Sequence, residues 1–409
     1  MNTNCTTSSY RSIVATRGTK WGALCLGLCA LGMAVAANAN QPRIITFDAP
    51  GAGTGTYQGT GCFAYTDCSV LLNNSGAITG YYLDANNVYH GFLRSPDGKF
   101  TTLDAPGADL TAGDFNGTLP NAINDAGAIT GEYYDVNNEE HGFLRSPDGK
   151  FTTFDVTGGT IGSTSPIALN LEGAIVGYYL DQNGVFQGFL RHPDGTFATW
   201  IGPGGCDATP ATGCYGTGAF SINDFGTVAG GSEDNSGNFV SRGLVRSPQG
   251  TLTTFEVPGA GNGPYQGTGS PGSSVPINQF GAIAGYYIDA SNVVHGYLRS
   301  PWGEITTFDV PGEGPQGIGC YNDCSVGLND WGAITGYYLD ANNVYHGFVR
   351  SPQGKVTTFD APGADLTPGD YNGTFPVSIN DQGAVTGYIY DKNNVIHGFL
   401  LLPSVRAVP

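Results

Sequence analysis

Residues 76–109 read GAITGYYLDANNVYHGFLRSPDGKFTTLDAPGAD, and residues 332–365 read GAITGYYLDANNVYHGFVRSPQGKVTTFDAPGAD. The chain writes one sentence twice, far apart. The same anchor, GAITG or a variant of it, begins at Gly76, Gly127, Gly173, Gly226, Gly281, Gly332 and Gly383, so the spacing runs from 46 to 55 residues. A period of that length is the mark of a propeller or solenoid array.

Each repeat carries four short strand-like runs. In the second they are PNAIN, GAITGEYYD, HGFLRSP and KFTTFD, linked by NDA-G, V-N-N and DG. These links are turn chemistry, and nothing in the repeat has helical periodicity. The expected fold is all-β: a seven-bladed β-propeller with four antiparallel strands per blade. A solenoid uses shorter rungs, and a sandwich gives no reason for seven copies. RIITFD at 43–48 is a KFTTFD strand with no partner before it, and HGFLLLP at 397–403 is an HGFLRSP strand with no partner after it. Pairing the two closes the ring and hides two sheet edges. The expected blades are residues 49–104, 105–155, 156–201, 202–256, 257–309, 310–360, and 361–409 together with 43–48.

Composition agrees. The 409 residues include 65 glycines, 24 prolines and 22 tyrosines but only two methionines, which favours turns and strands over helices. Residues 1–39 read as a signal peptide. Arg11, Arg17 and Lys20 precede the apolar run WGALCLGLCALGMAVAA, and Ala37-Asn38-Ala39 supplies the cleavage pattern. Residues 40–409 then form a single propeller domain, secreted or periplasmic, with no membrane insertion after cleavage. Cys62 with Cys68, Cys206 with Cys214 and Cys320 with Cys324 are local pairs, the pattern of three disulfides in an oxidising compartment. No metal knuckle spacing is present, and no cofactor is expected. Beyond the leader the chain has 34 acids against 13 of the 16 bases, which excludes nucleic acid as a partner. A monomer is expected.

The stretch INDAGAITGEYYDVNNEEHGFLRSPDGKFTTFD resembles the secreted bacterial HAF repeat. Its signature triplet reads His-Gly-Phe at His90, His141 and His397, and His-Gly-Tyr at His295. Gly replaces the middle Ala of the pattern, and Arg its Trp. The resemblance implies an extracellular, repetitive protein and no defined activity.

Three repeated polar positions invite chemistry. Asn73, Asn124, Asn170, Asn223, Asn278, Asn329 and Asn380 precede the anchor glycine by three residues and are expected to cap their own turns. Asp84, Asp135, Asp181, Asp234, Asp289, Asp340 and Asp391 open Asx turns; all but Asp234 are also weak cation candidates, although a calcium loop needs several carboxylates per turn. His90, His141, His295, His346 and His397 share one position, too far apart for a joint metal site, and are expected to make a repeated structural hydrogen bond.

The Asp84-type turns and the long loops should share one strongly acidic face. The opposite face should carry the tight SPDGK turns and Arg94, Arg145, Arg191, Arg246, Arg299 and Arg350, balanced by acids. Tyr57, Phe115, Tyr265, Tyr371, Asn116 and Asn372 lie in the long loops and are the expected ligand contacts. No catalytic residue or motif stands out. GTVAGGSEDNSGNFVSRG in the fourth repeat drops its tyrosines and adds Glu233, which reads as divergence rather than as an active site. The expected function is therefore a non-catalytic binding or interaction scaffold that recognises an extracellular glycan or protein through its acidic long-loop face. The alternatives are a propeller-based glycan lyase or hydrolase, and a structural cell-surface or matrix protein.

Overall fold

In the computed structural model, which describes residues 42–61, 70–113, 116–205, 216–233, 239–269, 274–318 and 325–404, every repeat is an antiparallel meander. The first consists of Val70–Leu72, Ile78–Leu83, Tyr89–Arg94 and Phe100–Leu103. Its register sets Gly80 opposite Phe92 and Tyr82 opposite His90. The second consists of Thr118–Ile123, Ile129–Tyr134, Glu140–Arg145 and Phe151–Phe154. The fifth keeps only an Ile277–Ile283 bridge as its first strand. The fold is all-β: no helix occurs among the described residues, so none is long and apolar enough to cross a membrane. Residues 1–39, expected to be a signal peptide, and the six cysteines expected to pair lie outside the described residues.

Strand residues alternate between layers, and glycine supplies close approach where the anchor requires it. A Cβ on Gly131 would stand 2.1 Å from the Leu119 carbonyl oxygen, and one on Gly387 would stand 2.1 Å from that of Phe375. Both contacts sit beside a bulge in the first strand of the repeat. The Asp-led turns end in the left-handed region, on an asparagine with φ of 61° at Asn87 and Asn138 and 60° at Asn343, and on Gly184 with φ of 76° in the third repeat. Asparagine tolerates that conformation better than any other non-glycine residue type bar a few polar ones.

Neighbouring repeats are joined three ways. A short parallel bridge links each repeat to the loop after it, as in Tyr89–Gly117, Phe186–Gly216 and Tyr345–Gly373. The anchor asparagines do more than cap. Each Oδ1 accepts from the backbone N–H four residues on, as Asn73 does from Ala77 at 2.9 Å. Each Nδ2 also donates to the next asparagine's carbonyl oxygen: Asn73 to Asn124, Asn124 to Asn170, Asn170 to Asn223, Asn223 to Asn278, Asn278 to Asn329 and Asn329 to Asn380. Asn380 donates back to Asn73 at 3.3 Å.

The third link is made by the arginines, which lie at the tight turns as expected, Arg191 Nη1 donating to the His192 carbonyl and Arg350 Nη1 to that of Ser351, and which also reach a ring of the neighbouring repeat. Arg191 lies over Phe154 at 4.9 Å, Arg246 over Trp200 at 4.8 Å, Arg299 over Phe255 at 5.0 Å and Arg350 over Phe308 at 5.0 Å, each ring belonging to the preceding repeat. Burial lowers the guanidinium pKa at each of these positions.

Arg94 follows the same rule across the length of the chain. Its ring is Phe47, at 5.1 Å. Phe47 belongs to the strand Arg43–Phe47, which pairs antiparallel with Ile396–Leu402, Phe47 opposite Gly398 and Arg43 opposite Leu402. The first strand of the chain is thus the outer strand of the last repeat, as the offset ends predict. A parallel bridge from Gly59 to Ile396 joins the same two regions.

Candidate functional site

The repeated histidine is held in a clamp. His90 Nδ1 lies 2.8 Å from Asp104 Oδ1, at the end of the outer strand, and its Nε2 lies 3.8 Å from Asp84 Oδ2. Its ring stacks on Tyr82 at 5.2 Å. The same arrangement recurs at His141, His295 and His346, stacked on Tyr133, Tyr287 and Tyr338, while His397 keeps the two carboxylates, Asp48 and Asp391, but faces Ile389 in place of the tyrosine. In the third repeat Gln187 donates to Asp181 instead, and in the fourth Arg242 Nε donates to Glu256. The hydrogen bond that His90 Nδ1–H donates to the Asp104 carboxylate raises the His90 pKa above its ordinary value, and the one to Asp48 does the same for His397.

The turn aspartates are occupied. Asp84 Oδ1 accepts from the N–H groups of Asn86 and Val88 at 2.8 and 2.9 Å, while Oδ2 accepts from the Asn86 amide. Asp135, Asp181, Asp289, Asp340 and Asp391 repeat the two backbone bonds. At Asp181, Asp289, Asp340 and Asp391 burial pushes the carboxyl up, but the N–H donors outweigh it and leave the pKa low. At Asp135 the Glu139 N–H is the leading cause of the same lowering. Among the described residues only the second repeat gathers three potential ion ligands, Asp135, Glu139 and His141, with ligand atoms within 4.8 Å of one another. Asp234 lies outside the described residues.

The long-loop contacts divide into two kinds. Tyr57, Tyr265 and Tyr371 present exposed rings, 42%, 60% and 54% accessible. All three sit in the left-handed region, with φ of 62°, 59° and 55°. A bulky residue there is an outlier that the surrounding structure must enforce. The enforcement is visible. Tyr57 N–H donates to the Asn394 carbonyl at 2.6 Å and Tyr371 N–H to that of Asn343 at 3.2 Å. Gln58 and Gln266 tie their loops to Asn87 and Asn292. Tyr265 stacks on Phe239 at 5.9 Å, and Tyr57 meets Tyr390 edge-on at 6.3 Å. Asn116 and Asn372, by contrast, are buried, and their amides are spent on Asp109, Asp365 and Asn394. Phe115 lies outside the described residues.

Sequence reading missed a second acidic locus. The residue after each anchor asparagine points along the asparagine circuit, where Asp125, Asp224, Asp330 and Asp381 line one cavity with Asn74 and Gln279. Each side chain in this row receives an N–H from its neighbour, as Asp330 does from Gln279 at 2.8 Å and Asp381 from Asp330 at 2.9 Å. Burial raises the Asp330 pKa, and Asp381, Asp125 and Asp224 add to the rise. Phe225, Phe280 and Trp331 follow in the same turns and are exposed. The signal was present as a seven-fold Asn-(Asp/Asn/Gln/Leu) pair, but its convergence depends on how the repeats are arranged.

No family model matches the chain, and no curated protein matches it. Solved structures do match. A streptogramin B lyase has a TM-score of 0.50 at 14% identity, covering 88% of this chain and 98% of its own. A catalytically inactive virginiamycin B lyase from Staphylococcus aureus, solved with quinupristin, has a TM-score of 0.51 at 14% identity, covering 88% of this chain and all of its own, 100%. The Aleuria aurantia lectin has a TM-score of 0.34 at 9% identity, covering 87% of this chain and 99% of its own. The two lyases give the chain a propeller-like fold.

Proposed function

We propose that this chain is a secreted, seven-bladed, ring-closed propeller that binds an extracellular glycan or protein through its long-loop face without transforming it. Two features support the ring: the asparagine circuit that returns to its start, and the outer strand lent by residues 43–47 to the last repeat. The observation that carries binding is the trio Tyr57, Tyr265 and Tyr371, exposed and held at positive φ on loops tied down by amide hydrogen bonds. Maintaining an aromatic in that conformation costs on the order of 1–3 kcal/mol, which is offset only by the rest of the loop. Flat, rigid rings on a fixed scaffold suit the apolar face of a sugar or a peptide.

The test is a glycan-array and protein-ligand screen of the chain lacking its leader. Tyr265→Ala and Tyr371→Ala should then weaken binding to any hit at least tenfold with little change in melting temperature. Asp97→Ala and Lys150→Ala, in the opposite tight turns, should leave affinity alone. Binding that is lost in the turn variants and kept in the tyrosine variants places the site on the wrong face.

A further inference from the structure

The residue that follows each Asp-led turn is a valine in six repeats: Val88, Val185, Val240, Val293, Val344 and Val395. In the second repeat it is Glu139. All of those valines but Val293 are buried, so the position ordinarily serves apolar packing. The backbone setting of the glutamate is the same as that of a valine. Glu139 Cβ stands 2.7 Å from where a Cβ on Gly162 would sit, as Val293 Cγ1 stands 2.8 Å from that of Gly317, each against a glycine of the following repeat. A carboxylate placed there gives up packing and is partly desolvated, which is unfavourable unless something compensates it.

Glu139 stands just ahead of the strand Glu140–Arg145, two residues from His141 and on the same side, while Glu140 faces the other way. Asp135, Glu139 and His141 each offer a ligand atom, all within 4.8 Å of one another, and His141 Nε2 is 3.8 Å from Asp135 Oδ2. Asp135 is in use, but not completely. Its Oδ1 accepts from the N–H groups of Asn137 and Glu139 at 2.8 and 2.9 Å, whereas Oδ2 accepts from the Asn137 amide alone, at 3.0 Å, and a carboxylate oxygen has a second lone pair. His141 Nδ1 lies 2.9 Å from Asp155 Oδ1. A carboxylate only accepts, so Nδ1 carries the proton and the neutral ring keeps its Nε2 lone pair for the side where Asp135 and Glu139 lie. A carboxylate behind an imidazole is the usual device for orienting a metal-binding histidine. Stacking on Tyr133 at 5.1 Å fixes the same ring. Among the described residues no Lys or Arg pairs with Asp135, Glu139 or Asp155.

We infer that Asp135, Glu139 and His141 form a site for a divalent transition metal of the zinc type. Two carboxylates and one neutral imidazole balance the charge of such an ion and leave one position of a tetrahedral shell for water. Metal–ligand bonds of about 2.0 Å set tetrahedral ligand atoms about 3.3 Å apart, so Asp135 and His141 need to close only slightly and the longer Glu139 side chain makes up the rest. Imidazole favours zinc, copper or nickel over calcium and magnesium, which prefer oxygen throughout. In the first repeat the histidine meets Asp84 in the same way, but Val88 leaves the third donor out. The site uses none of the loop tyrosines, and its failure would leave the glycan or protein reading untouched.

Calorimetric titration of the leaderless chain with zinc chloride tests the assignment. One zinc ion should bind at least tenfold more tightly than any further zinc ion and than calcium added as its chloride. Glu139→Val, which copies the other repeats, and His141→Gln, which copies the third, should each weaken that binding at least tenfold, while His90→Gln in the first repeat leaves it unchanged. Saturating zinc should raise the melting temperature of the native chain and not that of Glu139→Val. In the fifth repeat Asp289 Oδ2 and His295 Nε2 already lie 3.7 Å apart, so Val293→Glu should raise the number of tightly bound ions from one to two. A folded Val293→Glu chain that still binds one ion overturns the three-donor assignment; should that variant not fold, the two loss variants decide alone. No zinc binding by the native chain, calcium bound as tightly as zinc, or zinc affinity unchanged in Glu139→Val and His141→Gln overturns the site, the last result showing an adventitious ion only.

Discussion

The first and fourth repeats run the same strands in the same register, yet one is filled and the other hollow. Ile78 pairs with Arg94 and Leu83 with Tyr89 in the first; Val228 pairs with Arg246 and Glu233 with Ser241 in the fourth. Gly231, Glu233 and Ser241 stand where the first repeat has Tyr81, Leu83 and Tyr89, and a cavity of about 180 Å3 remains beside them. Two aromatic rings, a leucine and their packing can therefore be removed without moving a pair of the middle hairpin, although the inner strand of the fourth repeat carries a bulge between Ala219 and Ser221. The register is held elsewhere, by the anchor glycine, the Asn-x-x-Gly turn and the arginine stacked on the repeat before. The side chains beyond the anchor are free to be traded for space and charge, and the fourth repeat has made that trade.

The largest effect should come from removing what the two repeats share. Deleting residues 43–48 strips the outer strand from the last repeat and the Phe47 ring from beneath Arg94, while the fourth repeat keeps its own outer strand, Leu252–Phe255. The exposed edge of Ile396–Leu402 should aggregate, visible as loss of the monomer peak in size-exclusion chromatography. A monomer with unchanged melting would contradict the closed ring.

A smaller loss should follow from hollowing the first repeat to resemble the fourth. Tyr81 is 1% exposed, so Tyr81→Ala should cost about 3–5 kcal/mol in denaturant unfolding. The same strand position in the fourth repeat is Gly231, where adding a ring should raise stability. Equal and small effects at both positions would show that the cavity is not a consequence of the missing rings.

The smallest effect concerns the clamp, which is histidine in the first repeat and Arg242–Glu256 in the fourth. His90 and His397 titrate above their ordinary 6.5, so their contribution is complete below pH 6.5 and is lost as pH rises through the raised folded values. Asp135, Asp181, Asp289, Asp340 and Asp391 titrate below 3.8, so theirs is present above pH 3.8 and lost as pH falls through the lowered values. Melting temperature should peak between those limits. His90→Gln, which copies the third repeat, should change stability at pH 5 by within about 0.5 kcal/mol and flatten the fall above pH 6.5. An unaltered pH profile in that variant would remove the histidine clamp from the account.

Much of the strand layout was legible before any coordinates. The anchor glycines, the Asp-led turns and the offset end strands are constraints that act within a few residues, and period and turn chemistry report them directly. The His–Asp contact spans only 14 positions within one hairpin and was foreseeable as a structural bond. The loop tyrosines were identified by type, but not their positive φ, which depends on carbonyls of a different repeat.

By itself the sequence determined that the chain is all-β and repeats one strand-and-turn pattern from Gly76 to Gly383, because hydrophobic alternation and turn residues are local properties. Only tertiary structure decided what the repeated side chains face. The asparagine amides cross to the next repeat, the arginines reach back to the ring of the one before, and four aspartates converge on one cavity. The hollow in the fourth repeat belongs to the same class. Gly231, Glu233 and Ser241 read as divergence in a line of text, since a missing ring becomes a cavity only when Tyr297 and Gly269, from a separate repeat, decline to fill it.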